Sequence, residues 1–130
     1  AATEDAEKAS LENTDMLDIP SGVEVYEIDG PFFFGLASRF EEIESKNKAT
    51  KVRIIRMRKV PFIDSTGINN LRNLCERTHK RGVTVILSGV TDKVHESLVK
   101  FGVDLEIGQE HIFPHIVPAL AKAKEIAESK

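Results

Sequence analysis

KVRIIRMRKVPFIDSTGINNL, residues 51–71, holds two periodicities and the joint between them. In its first half Val52, Ile54, Ile55 and Met57 supply apolar side chains to both faces of an extended chain, as a strand in the middle of a sheet does. Its second half opens with Asp64, Ser65 and Thr66, whose side-chain oxygens suit the unpaired N–H groups of a helix start. From Thr66 to Arg81 the residues Ile68, Leu71, Leu74, Cys75 and Thr78 recur at helical spacing, and Gly82 ends the helix. A buried strand turning straight into an amphipathic helix is the unit of a parallel sheet, whose neighbours need crossovers.

Downstream, VTVILSG (83–89) reads as another central strand. TDKVHESLVKFG (91–102) reads as a helix with Thr91 as N-cap, a Val94, Leu98, Phe101 stripe and Gly102 at its end. VDLEIG (103–108) reads as a short strand or extended piece. The last segment carries Ile112, Ile116, Leu120, Ala123 and Ala127 along one face, a terminal helix starting near Pro114 or Pro118. Upstream, VEVYEI (23–28), the DGP turn and FFFG (32–35) resemble a hairpin, and LASRFEEIESK (36–46) forms a helix with Leu36, Phe40 and Ile43 inward. This alternation is α/β.

At 130 residues the chain is one domain, large enough to bury a core without staples, and its lone Cys75 excludes a disulfide scaffold. No stretch approaches the roughly 20 apolar residues of a membrane-spanning helix. The net charge of −3 is uneven: residues 1–20 hold six acids against Lys8, which leaves +2 for the rest. The opening therefore reads as an acidic linker or frayed segment, and 21–130 as the folded domain. The first methionine is Met16, which points to further sequence upstream.

The joint at 60–71 lies between the carboxyl end of a central strand and a helix amino terminus, where open α/β sheets bind ligands. Two readings stay open on the residues alone. Asp64 or Ser65 can be an ordinary N-cap, or the loop Phe62, Asp64, Ser65, Thr66, Gly67 can be a recognition or modification site beside the positive end of the helix dipole. Arg56 and Arg58 are candidate contacts for an anion or an acidic partner, against the plainer alternative of solvated strand ends. Lys46, Lys48, Lys51, Arg53, Arg56, Arg58 and Lys59 form a run without an acidic residue, but no aromatic platform accompanies them, so nucleic acid is not expected. Catalysis is not expected either: the histidines at 79, 95, 111 and 115 show no relation to Ser65, and DSTG lacks the spacing and lysine of a phosphate-binding loop. His111 and His115 lack a third ligand, so no metal is assigned.

VEVYEIDGPFFFG, VPFIDSTGINNL, RGVTVILSGV and GQEHIFPHIVPAL together resemble the STAS domain, the sulfate-transporter and anti-sigma-factor-antagonist module, over about Val23 to Ala121. YEIDGPFFFG, RMRKVPFIDSTG and IFP are most similar to the carboxy-terminal cytoplasmic domain of SulP-type anion transporters. The resemblance implies a single mixed β-sheet of about 4–5 strands with about 4 helices mainly on one side, no catalysis and no cofactor. It implies a regulatory domain on the cytoplasmic side of the membrane, with its own transporter's membrane domain, another copy or a cytosolic protein as partner. The basic run is then suited to anionic headgroups or acidic loops of that transporter. No motif supports a nucleotide, although a helix terminus is open to phosphate. Ser65 matches the serine that a kinase phosphorylates in anti-sigma antagonists, and a free antagonist switched at Ser65 is the alternative function. Many SulP domains carry another residue there.

Overall fold

The computed structural model describes residues 18–29 and 49–130. Three strands, β1 (Val23–Asp29), β2 (Val52–Lys59) and β3 (Thr84–Ser88), form one sheet in the order β1-β2-β3. Both pairings are parallel, with Val25 opposite Ile54 and Ile54 opposite Ile86. Four α-helices follow: α1 (Ser65–Lys80), α2 (Asp92–Lys100), α3 (Val103–Ile107) and α4 (Ile116–Ser129), with a 3₁₀ turn at Gln109–His111. The acidic opening up to residue 17, the expected FFFG strand and the 36–46 helix lie outside the described residues.

The central position of β2 follows from its side chains, since Val52 to Met57 are all buried and only a strand covered on both faces can accept that. One face presents Ile55, Met57, Val85 and Leu87 to α1, α2 and α3. The other presents Val52, Ile54 and Ile86 to α4, whose Ala119, Ala123 and Ala127 bring its backbone close. The described helices are thus divided three to one across the sheet. Burying each of Ile55, Leu71 and Leu98 contributes about 2 kcal/mol. Beyond β3 the chain returns: Ile112 bridges Leu87 in parallel and the Phe113 N–H donates to the Leu87 carbonyl, so IFP extends the sheet by one short step.

Contrary to the strand or extended piece expected from its sequence, VDLEIG forms α3. Val103, Leu105 and Ile107 alternate as a strand would, yet Leu105 is 73% exposed while Val103 and Ile107, four apart, are buried. Left-handed glycines on both sides, Gly102 (φ 74) and Gly108 (φ 100), close the segment into a single helical unit. The terminal helix begins at Ile116, which leaves Pro114 outside and Pro118 in its first turn, where its missing N–H is not needed. His111 and His115 accordingly do not share a helix.

The basic run divides between interior and surface. Arg53 is 1% and Arg56 2% exposed, whereas Lys51 and Lys59 are exposed near opposite ends of β2. The described part of the run is therefore not one solvated face. Arg53 shares parity with Ile55 and Met57 and enters the α1 side. There Nη2 donates to Glu24 Oε2 at 3.2 Å, Nη1 reaches Thr78 Oγ1 at 3.5 Å, and the guanidinium lies 5.4 Å from the Tyr26 ring centroid. Glu24 also accepts from Tyr26 Oη at 2.6 Å and from the Thr50 hydroxyl. A buried charge thus ties the starts of β1 and β2 to the last turn of α1.

Gly89 fixes the carboxyl end of β3 against β2. Its φ is +66, and a Cβ there would stand 2.6 Å from the Arg58 backbone nitrogen. Gly89→Ala is expected to cost about 2–3 kcal/mol, combining the left-handed penalty with a backbone overlap. Gly82→Ala, at φ +77 with nothing within 4 Å, should cost only about 1 kcal/mol. Urea midpoints of the two variants measure the difference.

Candidate functional site

The joint between β2 and α1 is built on two anchors. Ile63 is 4% and Ile68 1% exposed, so the chain is pinned on both sides of the DSTG element. Between them Asp64 is extended (φ −92, ψ 179), and its Oδ1 accepts from the Gly67 N–H at 2.8 Å. The Asp64 carbonyl takes the Ile68 N–H at 2.8 Å, the first bond of the helix. Of the two capping readings, Asp64 is the cap and Ser65 is the first helical residue.

That assignment leaves both hydroxyls outward. Ser65 and Thr66 are exposed, while Gly67, buried, forms the underside of the turn. No acidic residue stands in the first turn of α1, so only the Asp64 cap offsets the positive end of its dipole. Phe62 does not tuck inward. It is 44% exposed beside exposed Pro61, and Lys93 Nζ lies 5.7 Å from its ring centroid. Lys93 belongs to the first turn of α2, whose cap Thr91 accepts from the Val94 N–H at 3.3 Å. Phe62, at the entry to α1, therefore lies beside the first turn of α2.

Arg56 and Arg58 stand apart from this surface in character. Glu27, Arg56 and Ser88 are in register on three adjacent strands. Burial lowers the Arg56 pKa, repulsion from Arg58 lowers it further, and Glu27 partly offsets both. Arg58 Nε donates to Glu27 Oε1 at 2.5 Å, and Lys59 Nζ is 3.6 Å from Glu27 Oε2. Arg56 is thus an interior charge, and Arg58 is engaged within the sheet. Spacing along β2 carries the signal: Arg56 shares a face with buried Ile54, and Arg53 with buried Ile55.

Among the described residues no group of three potential ligands is placed to hold a metal, and no helix is long and apolar enough to cross a membrane. Cys75 is 5% exposed, and burial together with Glu106 and Glu76 pushes its thiol up to about 12, so it stays protonated at neutral pH.

The family model for the STAS domain matches residues 16–119. This chain is a STAS domain. A crystal structure of a sulfate transporter family protein from Wolinella succinogenes superposes with a TM-score of 0.81 at 45% identity, covering 89% of this chain and 96% of that one. The SulP transporter STAS domain from Vibrio cholerae gives 0.80 at 32% identity, covering 95% and 98%. YvdB, a candidate sulfate transporter of Bacillus subtilis (strain 168), is 32% identical over 95 residues, 72% of this chain but 18% of its own length. The STAS domain here thus corresponds to a small part of that longer relative.

Proposed function

We propose that this STAS domain is a non-catalytic regulatory module of a SulP-type anion transporter, lying on the cytoplasmic side of the membrane and docking through the surface around Asp64–Gly67. One observation carries the reading: Pro61, Phe62, Ser65 and Thr66 are exposed on a segment pinned by buried Val60, Ile63 and Ile68. Such a surface is held in place before a partner arrives, so binding does not have to order it. Phe62 supplies apolar area, and Lys93 and the α1 terminus supply positive potential. The partner is the transporter's own membrane part, and the relatives, being transporters or their STAS domains, favour this over a free anti-sigma antagonist.

Ser65 is the residue through which the surface is regulated. A phosphate there would add about −1.5 to −2 charge at neutral pH, next to a helix terminus that accepts it and three residues from Phe62, over which Lys93 lies. The effect falls on the surface and leaves the core alone. In a transporter carrying this domain, Ser65→Ala should keep both transport and capture of the membrane part near wild type, while Ser65→Glu weakens capture about tenfold and lowers transport. The melting temperature should move by no more than about 2 °C in either variant. Equal capture and transport by both would reduce Ser65 to a helix residue.

A further inference from the structure

On the far side of α1 from its capped end, Arg72, Cys75, Glu76 and His79 fall at i, i+3, i+4 and i+7 and face Val103, Glu106 and Ile107 of α3 across a cleft of about 210 Å³. Its floor is apolar, made of Cys75, Val103 and Ile107, all at most 5% exposed. Its cation is already engaged: Arg72 Nε donates to Glu106 Oε2 at 2.8 Å and Nη2 to the Phe101 carbonyl at 2.7 Å. Glu76 is exposed and makes no ion pair among the described residues. The lining therefore has two carboxylates against one guanidinium, a formal −1.

The surroundings are mixed. Leu105 is 73% and Phe101 38% exposed, Glu106 and Glu110 are exposed, Asp104 is buried and accepts from Gln109, and Lys100 Nζ lies 5.6 Å from the Phe101 ring centroid. Within the cleft the exposed carboxylate of Glu76 over an apolar floor matches a side chain that has a hydrocarbon stem and a positive head. At about 210 Å³ the cleft is smaller than the roughly 300–1,000 Å³ typical of cofactor and drug-sized ligand sites, so one long side chain fits it better than a nucleotide.

We propose that this cleft is a second docking point that receives a lysine side chain from a basic, apolar segment of the transporter's membrane part. The inference rests on the transporter reading above, since cytoplasmic loops of membrane proteins carry an excess of Lys and Arg. It uses the α1–α3 face, however, and not the DSTG loop, so each can fail alone.

The test is a ¹⁵N chemical-shift titration of the 130-residue chain with n-butylammonium chloride, 1-butanol and sodium butyrate, then with an amphipathic Leu/Lys peptide and its Leu/Glu counterpart. Butylammonium and the Lys peptide should shift the amides of Cys75, Glu76, Val103 and Ile107. Glu76→Gln should weaken both about 3- to 5-fold, Glu76→Lys should abolish them, and Phe62→Ala should leave them unchanged. Equal response to 1-butanol, preference for butyrate or the Glu peptide, or indifference to Glu76→Gln would each overturn the proposal. If cleft binding fails while Ser65→Glu still weakens capture of the membrane part, the docking function stands without this site; if cleft binding holds and capture is insensitive to Ser65, the DSTG reading alone falls.

Discussion

Arg53→Ala should lower stability by about 3–5 kcal/mol, the largest single-residue effect expected in the described fold. The reason is an orphaned charge. Arg53 and Glu24 have side chains 2% and 13% exposed, and removing the guanidinium empties a buried site and leaves the partly buried carboxylate with its Thr50 and Tyr26 hydrogen bonds but without its counter-charge. Thermal unfolding should fall by about 10 °C or more in a chain of this size. Arg53→Met with Glu24→Gln should recover part of the loss, because no uncompensated charge remains even though Tyr26 and Thr50 have a weaker acceptor.

The pH dependence of this variant has a definite sign. Burial alone would raise the Glu24 pKa, but hydrogen bonds from Thr50, Tyr26 and Arg53 outweigh it and hold the folded-state value below the usual 4.5. A depressed carboxylate contributes stability that is fully present above its unfolded pKa and is lost as pH falls through the folded one. Without Arg53 that support weakens and Glu24 protonates more readily. The gap between wild type and Arg53→Ala, followed by urea midpoints from pH 7 to pH 3, should be widest at neutral pH and close at the acid end. A constant gap would mean that the arginine acts through packing alone.

Phe62→Ala should carry the largest functional effect. An exposed aromatic on a pinned loop has the properties of an interface anchor, and truncating such an anchor costs about 2 kcal/mol or more of binding, about 30-fold. Stability should change little, because Phe62 is already 44% exposed in the free domain. Affinity of the domain for the detergent-solubilised membrane part of its transporter, set beside the unfolding midpoint, separates the two. Lys93→Ala should lower affinity less, since an exposed cation near an aromatic face contributes about 0.5–1 kcal/mol. Normal affinity in Phe62→Ala would place docking elsewhere on the domain.

The residues 51–71 made the fold class legible because their information is local. An apolar run long enough for one buried strand, then a cap, then helical spacing, admits few structures, and β2 and α1 form within two residues of where periodicity puts them. The cap at Thr91 and the core position of Cys75 are equally local facts. The DSTG loop could be located for the same reason. What the loop shows to a visitor could not be read locally: whether Phe62 turns in or out depends on Lys93 and the start of α2, residues about thirty positions away.

Sequence by itself determined an α/β domain with a capped strand-to-helix joint, since hydrophobic period and capping chemistry act over a few residues. Tertiary structure decided the rest. It turned VDLEIG into a helix because only Val103 and Ile107 had a core to enter, took Arg53 and Arg56 from an apparent basic surface into the interior, and opposed α1 to α3 to make a cleft. Each outcome depends on which side of an element another element covers, and burial, unlike periodicity, is a property of the assembled chain.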